Sequence, residues 1–197
     1  ELRRRQARPK FPLGSSPCSA FSQLLASVSA TSEYRRELVQ EGMKHLRMSC
    51  KMYIEQMNEG NDFVHEHPHG ASSWSTDIVK ELLCRDDVYW VRMDMCSAGM
   101  KAKRRDGTEG PARKTSGWIT SAREVVEELS RFQCPNRAAT PEDPEPDDHV
   151  HLVDGKARAT EQYPPRLVAA LLRAIRRTLV RKGSMSVSAV EVGLSGH

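Results

Sequence analysis

Residues 62–68 read DFVHEHP, and how this stretch is read decides the fold. It is a short strand whose end carries the histidines, cut off from what precedes it by NEGN at 58–61. Upstream, Val39, Met43, Leu46, Cys50, Tyr53 and Met57 recur at helical spacing across 33–57, which predicts a long amphipathic helix. Before that helix, FPLG at 11–14 leads into the turn GSSPCSAFS at 14–22, so the order is strand, helix, strand. A second helix follows Ser75, with Ile78, Val79, Leu82 and Leu83 as its buried stripe, and VYWVRMD at 88–94 reads as another strand. GWIT at 117–120 is a short strand running into SARE at 121–124, whose Ser-x-x-Glu spacing predicts a capping box for a helix carrying Val125, Leu129 and Phe132. A last helix begins at the Pro164-Pro165 pair and buries Leu167, Val168, Leu171, Leu172, Ile175 and Leu179. Strands alternating with helices predict an α/β layer architecture with chemistry at the strand ends.

The chain divides into a basic N-terminal tail at 1–10, a body at 11–182 and a flexible C-terminal tail at 183–197. Within the body, 97–113 is basic and glycine-containing without periodicity, and 135–148 carries the acidic run PEDPEPDD; both are expected to be loops. With 197 residues, 38% hydrophobic and 28% charged, the chain fits one soluble globular domain rather than a disordered one. It starts at Glu1 with four arginines in its first eight residues, and we read it as a piece of a longer protein, with the upstream remainder as a partner. No run approaches the roughly 20 apolar residues that span a bilayer, so no membrane partner is expected. Five scattered cysteines make a poor disulfide framework and fit reduced, intracellular thiols, the nucleus being one such compartment. The net charge of +4 concentrates in KAKRR at 101–105 and RAIRRTLVRK at 173–182, which suits a polyanion; a solvated surface is the plainer alternative.

Several side chains invite a chemical reading and each has a bland one. Cys18, after Pro17 in a Gly/Ser turn, is either a small buried apolar residue or a nucleophile. Glu66 is either a strand-end carboxylate bonded to the neighbouring turn or an active acid. His65, His67 and His69 alternate, so on a strand they share one face and suggest a metal site or structural histidines. Cys96, Cys134, His149 and His151 are the better metal set, able to close a tetrahedral zinc site, although no Cys-x2-Cys pair fixes two ligands locally.

The stretches GSSPCSAFS and FVHEHP, separated by the long helix, together resemble the cytosine-5 DNA methyltransferase family. There a G-x-P-P-C-Q-x-F-S turn presents a nucleophilic cysteine and a strand ending in E-N-V presents a glutamate. Gly14, Pro17, Cys18, Phe21 and Ser22 match the first motif, and Phe63 and Glu66 the second. A closer likeness is to methyltransferase-like segments of phage proteins and algal retrotransposon polyproteins, on the stretches SSPCSAFS, HEHPHGASSW, DMCSAG and KTSGWITS. The resemblance covers roughly residues 11–175. It departs at Ser16, Ser19, His67-Pro68, Lys114-Thr115-Ser116 and Ser121.

What the resemblance implies is a Rossmann-like methyltransferase fold truncated at its N-terminal cofactor-binding half. Cys18 would be the thiolate that adds to carbon 6 of cytosine, and Glu66 the acid at ring N3. Ser22, Lys101, Lys103, Arg104, Arg105 and Lys114 would contact DNA, the expected partner, with S-adenosylmethionine as cofactor. Its glycine-rich turn is missing from the residues before Cys18, so an inactive chain is one expectation. The alternative is a non-enzymatic nucleic-acid-binding or structural module, stabilised by zinc.

Overall fold

The computed structural model of the chain describes residues 9–22, 32–135, 149–152 and 160–186. Strand β1 (Leu13–Gly14) is followed by a 3-10 turn at Cys18–Phe21, then helix α1 (Glu33–Asn58), β2 (Val64–Pro68), a second 3-10 turn at Ser72–Ser75 and α2 (Asp77–Leu83). Then come β3 (Tyr89–Asp94), a third 3-10 turn at Met95–Ala98, β4 (Lys101–Lys103), β5 (Glu109–Arg113), β6 (Thr115–Thr120), α3 (Arg123–Leu129), β7 (Val150–His151) and α4 (Pro165–Arg181). This is a mixed α/β fold.

The first sheet has the order β1-β2-β6-β3. β1 and β2 are parallel, with Leu13 opposite Val64 and Gly14 opposite His65. A parallel pair cannot be joined by a tight hairpin and needs a crossover. α1 lies in that crossover, burying Gly42, Leu46, Cys50, Tyr53 and Gln56 at three- and four-residue spacing. β6 then runs antiparallel to both β2 and β3.

Alternation along the strands splits the interior into two cores. Val64, Val91, Met93 and Trp118 pack on one face with Val125 and Leu129 of α3, Leu167 and Leu171 of α4 and the second sheet. Phe63 and Ile119 pack on the other with Leu46 and Tyr53 of α1 and Val79 and Leu82 of α2. α4 starts as expected, with Pro164 at its N-cap and Pro165 in the first turn. Its Arg173, Arg177 and Arg181 pair with Glu128, Glu127 and Glu124 of α3.

Of the stripe expected to be buried on α4, Val168 and Leu172 are exposed. Three further expectations need correction. Most of the presumed loop 97–113 is structured: β4 and β5 form an antiparallel hairpin, joined in a second sheet by β7, with Ala112 opposite Val150 and Arg113 opposite His151. Only Ala102 separates Lys101 from Lys103, too short an alternation to stand out, and Gly107 turns the chain at φ 87°. The capping box at 121–124 does not form. Ala122 is the N-cap, Ser121 donates to Asp62 (2.9 Å) and Glu124 accepts from Arg181 and Thr178, so tertiary partners take both side chains. The strand expected at 117–120 begins earlier, at Thr115. Residues 136–148 of the expected loop at 135–148 and 187–197 of the expected tail at 183–197 lie outside the described residues.

The outer strand β3 is partly covered. Phe132 O accepts from Asp94 N–H (2.8 Å), and Gln133 Nε2 donates to Arg92 O (2.9 Å). Among the described residues no helix is long and apolar enough to cross a membrane.

Gly42 sets how closely α1 approaches the Cys18–Phe21 turn, because a Cβ there would lie 2.3 Å from the Ala20 Cβ. Gly42→Val should therefore lower stability by about 1–3 kcal/mol, the usual cost of overpacking, read as a lower urea midpoint with an unchanged slope.

Candidate functional site

The parallel register of β1 and β2 brings the turn after β1 alongside the end of β2. Next beyond the Gly14–His65 pair come Ser15 and Glu66, and Ser15 Oγ donates to Glu66 Oε2 (3.2 Å). Ser116 of β6 donates to Oε1 (2.6 Å), and the Tyr163 hydroxyl, just ahead of α4, donates to Oε2 (3.2 Å). Glu66 is only 5% exposed, so burial of its carboxylate is made tolerable by these three hydroxyls.

Cys18 opens the 3-10 turn at the same end of the β1–β2 pair, and it is exposed. That exposure overturns the reading of Cys18 as a small buried apolar residue. Burial first, then the charge of Glu66, pushes the Tyr163 phenol pKa well above its ordinary value, and Cys18 adds to the effect, so the phenol senses both carboxyl and thiol. The turn is tied down from two sides: Ser16 O accepts from His67 Nε2 (2.8 Å), and the hydroxyls of Ser16 and Ser49 of α1 bond at 3.3 Å.

The three alternating histidines do not converge on a metal. His65 and His67 share a face, as expected, but that face is the α1 core, where their rings lie 5.1 Å apart among Tyr53, Phe21 and Trp74. Because His67 Nε2–H is used on Ser16 O, its Nδ1 accepts from the Ser73 hydroxyl (2.6 Å). His65 Nδ1 bonds the Tyr53 hydroxyl (2.9 Å), while its buried Nε2 has no partner among the described residues. His69 is exposed, its ring edge against Trp90. Burial pushes both core imidazoles down, His65 to about 3 with the neighbouring His67 adding to the shift.

Away from this edge, Cys96, Cys134 and His149 come together, their ligand atoms all within 4.8 Å of one another, and could hold a metal ion. Cys134 Sγ is 3.3 Å from His149 Nε2. Burial, then a hydrogen bond with Cys134, pushes the Cys96 thiol up to about 12. His151 is outside this group, correcting the four-residue set: it is exposed on β7. Two residues of extended chain move it about 6.6 Å along from His149.

Of the residues expected to contact DNA, Lys101, Lys103 and Arg105 are exposed on the β4–β5 hairpin. Arg104 folds back over Gly110 and donates to Glu109 O (2.8 Å). Lys114 donates to Thr160 O (2.8 Å), linking β6 to the segment that carries Tyr163. The Ser22 N–H closes the Cys18 turn on Ser19 O. Sequence reasoning missed Ser15, Ser116 and Tyr163, although each lies in or beside a quoted motif, because no spacing rule pairs a hydroxyl with a carboxylate 50 or 97 residues away.

No protein-family model, curated protein or solved structure matches the chain.

The core imidazoles make stability depend on pH. Their folded pKa values lie below the unfolded value of about 6.5, so the unfolded chain binds more protons below that pH and stability is lost on acidification, for His65 from about 6.5 down to about 3. The unfolding free energy from urea titration should fall through this window, by up to about 1.4 kcal/mol per pH unit per histidine, and His65→Phe should show a shallower fall than the parent.

Proposed function

We propose that the chain is a cytosine-5 DNA methyltransferase-like catalytic segment, of the kind found in phage and retrotransposon polyproteins, with Cys18 as nucleophile and Glu66 as acid. The observation that carries this reading is the Ser15–Glu66 bond, which holds the Cys18 turn against the carboxylate. In the reaction the Cys18 thiolate adds to carbon 6 of an extruded cytosine. Glu66, once it has taken up a proton from solvent, gives that proton or its hydrogen bond to N3 and so stabilises the enamine that results. To do so it exchanges a hydroxyl donor, Tyr163 or Ser15, for the base. Extruding the base costs a few kcal/mol, which contacts of Lys101, Lys103 and Arg105 with phosphates would help to offset.

The methyl donor implied by the resemblance, S-adenosylmethionine, requires a glycine-rich turn between a strand and a helix. Among the described residues the left-handed glycines are Gly60, Gly99, Gly107 and Gly183, at helix ends and in a hairpin, and none stands between a strand and a helix N-terminus. These residues do not fit that group, and no methyl-transfer step is assigned to them.

The second reading is a nucleic-acid-binding module that keeps the fold without the chemistry. It is favoured by the hydroxyls already engaged on Glu66, whose two oxygens accept three hydrogen bonds, and it includes zinc at the Cys96–Cys134–His149 cluster.

The two readings separate without any methyl donor. Once the thiol has added, carbon 5 takes a solvent proton, then loses its original hydrogen as the thiolate is expelled, so DNA tritiated at carbon 5 of cytosine should release tritium to water. Cys18→Ser should abolish release and Glu66→Gln should slow it about 10²–10³-fold. DNA binding with no release above the Cys18→Ser background would establish the module instead.

A further inference from the structure

We propose that Cys96, Cys134 and His149 bind one zinc ion as a three-residue clasp whose fourth ligand comes from solvent. This takes the metal element of the second reading further and is independent of whether Cys18 is a nucleophile.

The argument begins with the donor set. Two thiolates and one imidazole are the ligands that tetrahedral zinc prefers. With Zn–S near 2.3 Å and Zn–N near 2.05 Å, tetrahedral geometry puts sulfur and nitrogen about 3.6 Å apart and the two sulfurs about 3.8 Å apart. The 3.3 Å separation of Cys134 Sγ from His149 Nε2 is within about 0.3 Å of that cage, and the 4.8 Å limit on all three atoms leaves at most about 1.2 Å to close.

Charge closes as well. Zinc displaces a proton from each thiol to the buffer, and the resulting pair of thiolates neutralises the divalent ion, with His149 remaining neutral. All three ligand residues are half-buried, and a site with no net charge avoids most of the desolvation cost of an isolated ion there.

The backbone around the site is already fixed. Met95 N–H bonds Lys114 O (2.8 Å) and Ser97 Oγ donates to Asp94 O (2.5 Å), holding the turn that bears Cys96. The Cys134 N–H donates to Asp94 Oδ2 (3.0 Å), whose other oxygen accepts from Arg92 and Thr115. Asp94 is thereby committed to orienting the ligands' backbone rather than to the ion. His149 leads into β7. The ion would therefore join the end of β3 to the second sheet and close the segment between Cys134 and His149, so its binding energy adds to folding energy.

The test uses the full chain without a histidine tag, expressed with zinc. One zinc per chain is expected by elemental analysis, with chelator lowering the melting temperature and zinc restoring it. Replacing zinc by cobalt should give the visible absorption of a tetrahedral site together with intense sulfur-to-cobalt charge transfer. Cys96→Ser, Cys134→Ser and His149→Ala should lose the metal, whereas His151→Ala should keep it. Should the ligand variants fail to fold, the cobalt spectrum of the parent protein still decides. Folded parent protein that takes up neither zinc nor cobalt would overturn the proposal, as would a Cys96–Cys134 disulfide found by mass under non-reducing conditions. Repeating the zinc measurement on Cys18→Ser separates this result from the fate of the nucleophile.

Discussion

A carboxylate that is nearly out of contact with water is the constraint around which this molecule is arranged. Glu66 sits in the middle of an inner strand, contrary to the strand-end position expected for it, and each of its three hydroxyl donors comes from a different part of the chain: the turn after β1, the start of β6 and the approach to α4. Losing a donor to a buried charged group costs more than losing a neutral bond, so these segments cannot drift independently. The close contacts elsewhere serve the same end. A Cβ on Gly14 would collide with the Tyr53 hydroxyl, and one on Gly42 with Ala20; the absent side chains let β1 and its turn settle onto α1.

β6 extends that arrangement to a second carboxylate. Thr115 donates to Asp94 and the next residue, Ser116, donates to Glu66, on opposite faces of the strand. One stretch of backbone therefore fixes both the carboxylate bonded by Ser15 and the one that orients Cys134. The two sites are distinct in chemistry but share a support.

Where period and length were unambiguous, the sequence was legible. The stripe of α1, the aromatic and β-branched residues at 88–91 that open β3 and the proline start of α4 all carry signals that act over a few residues, and the structure has elements there. Ser121 and Glu124 have the spacing of a cap, yet each is drawn to a distant partner, Asp62 or Arg181, because satisfying a buried charge outweighs a local cap. The β4–β5 hairpin was hidden because one alanine between two lysines is too little alternation to read. In the candidate site motif order singles out Cys18 and Glu66 as candidates, and residue type singles out Cys96, Cys134 and His149, which the fold brings together. The hydroxyls that hold Glu66 were not, since serine and tyrosine carry no mark of what they will bond.

The covering of β3 bears on how these molecules behave at high concentration. An outer strand offers a row of open N–H and C=O groups, and a second chain can add to it as though continuing the sheet. Here Phe132 and Gln133 occupy Asp94 N–H and Arg92 O, and the Arg92 guanidinium is paired with Asp94 beside them. The C-terminal half of that rim is thus closed to strand addition, and self-association that grows by lengthening the sheet has no template there.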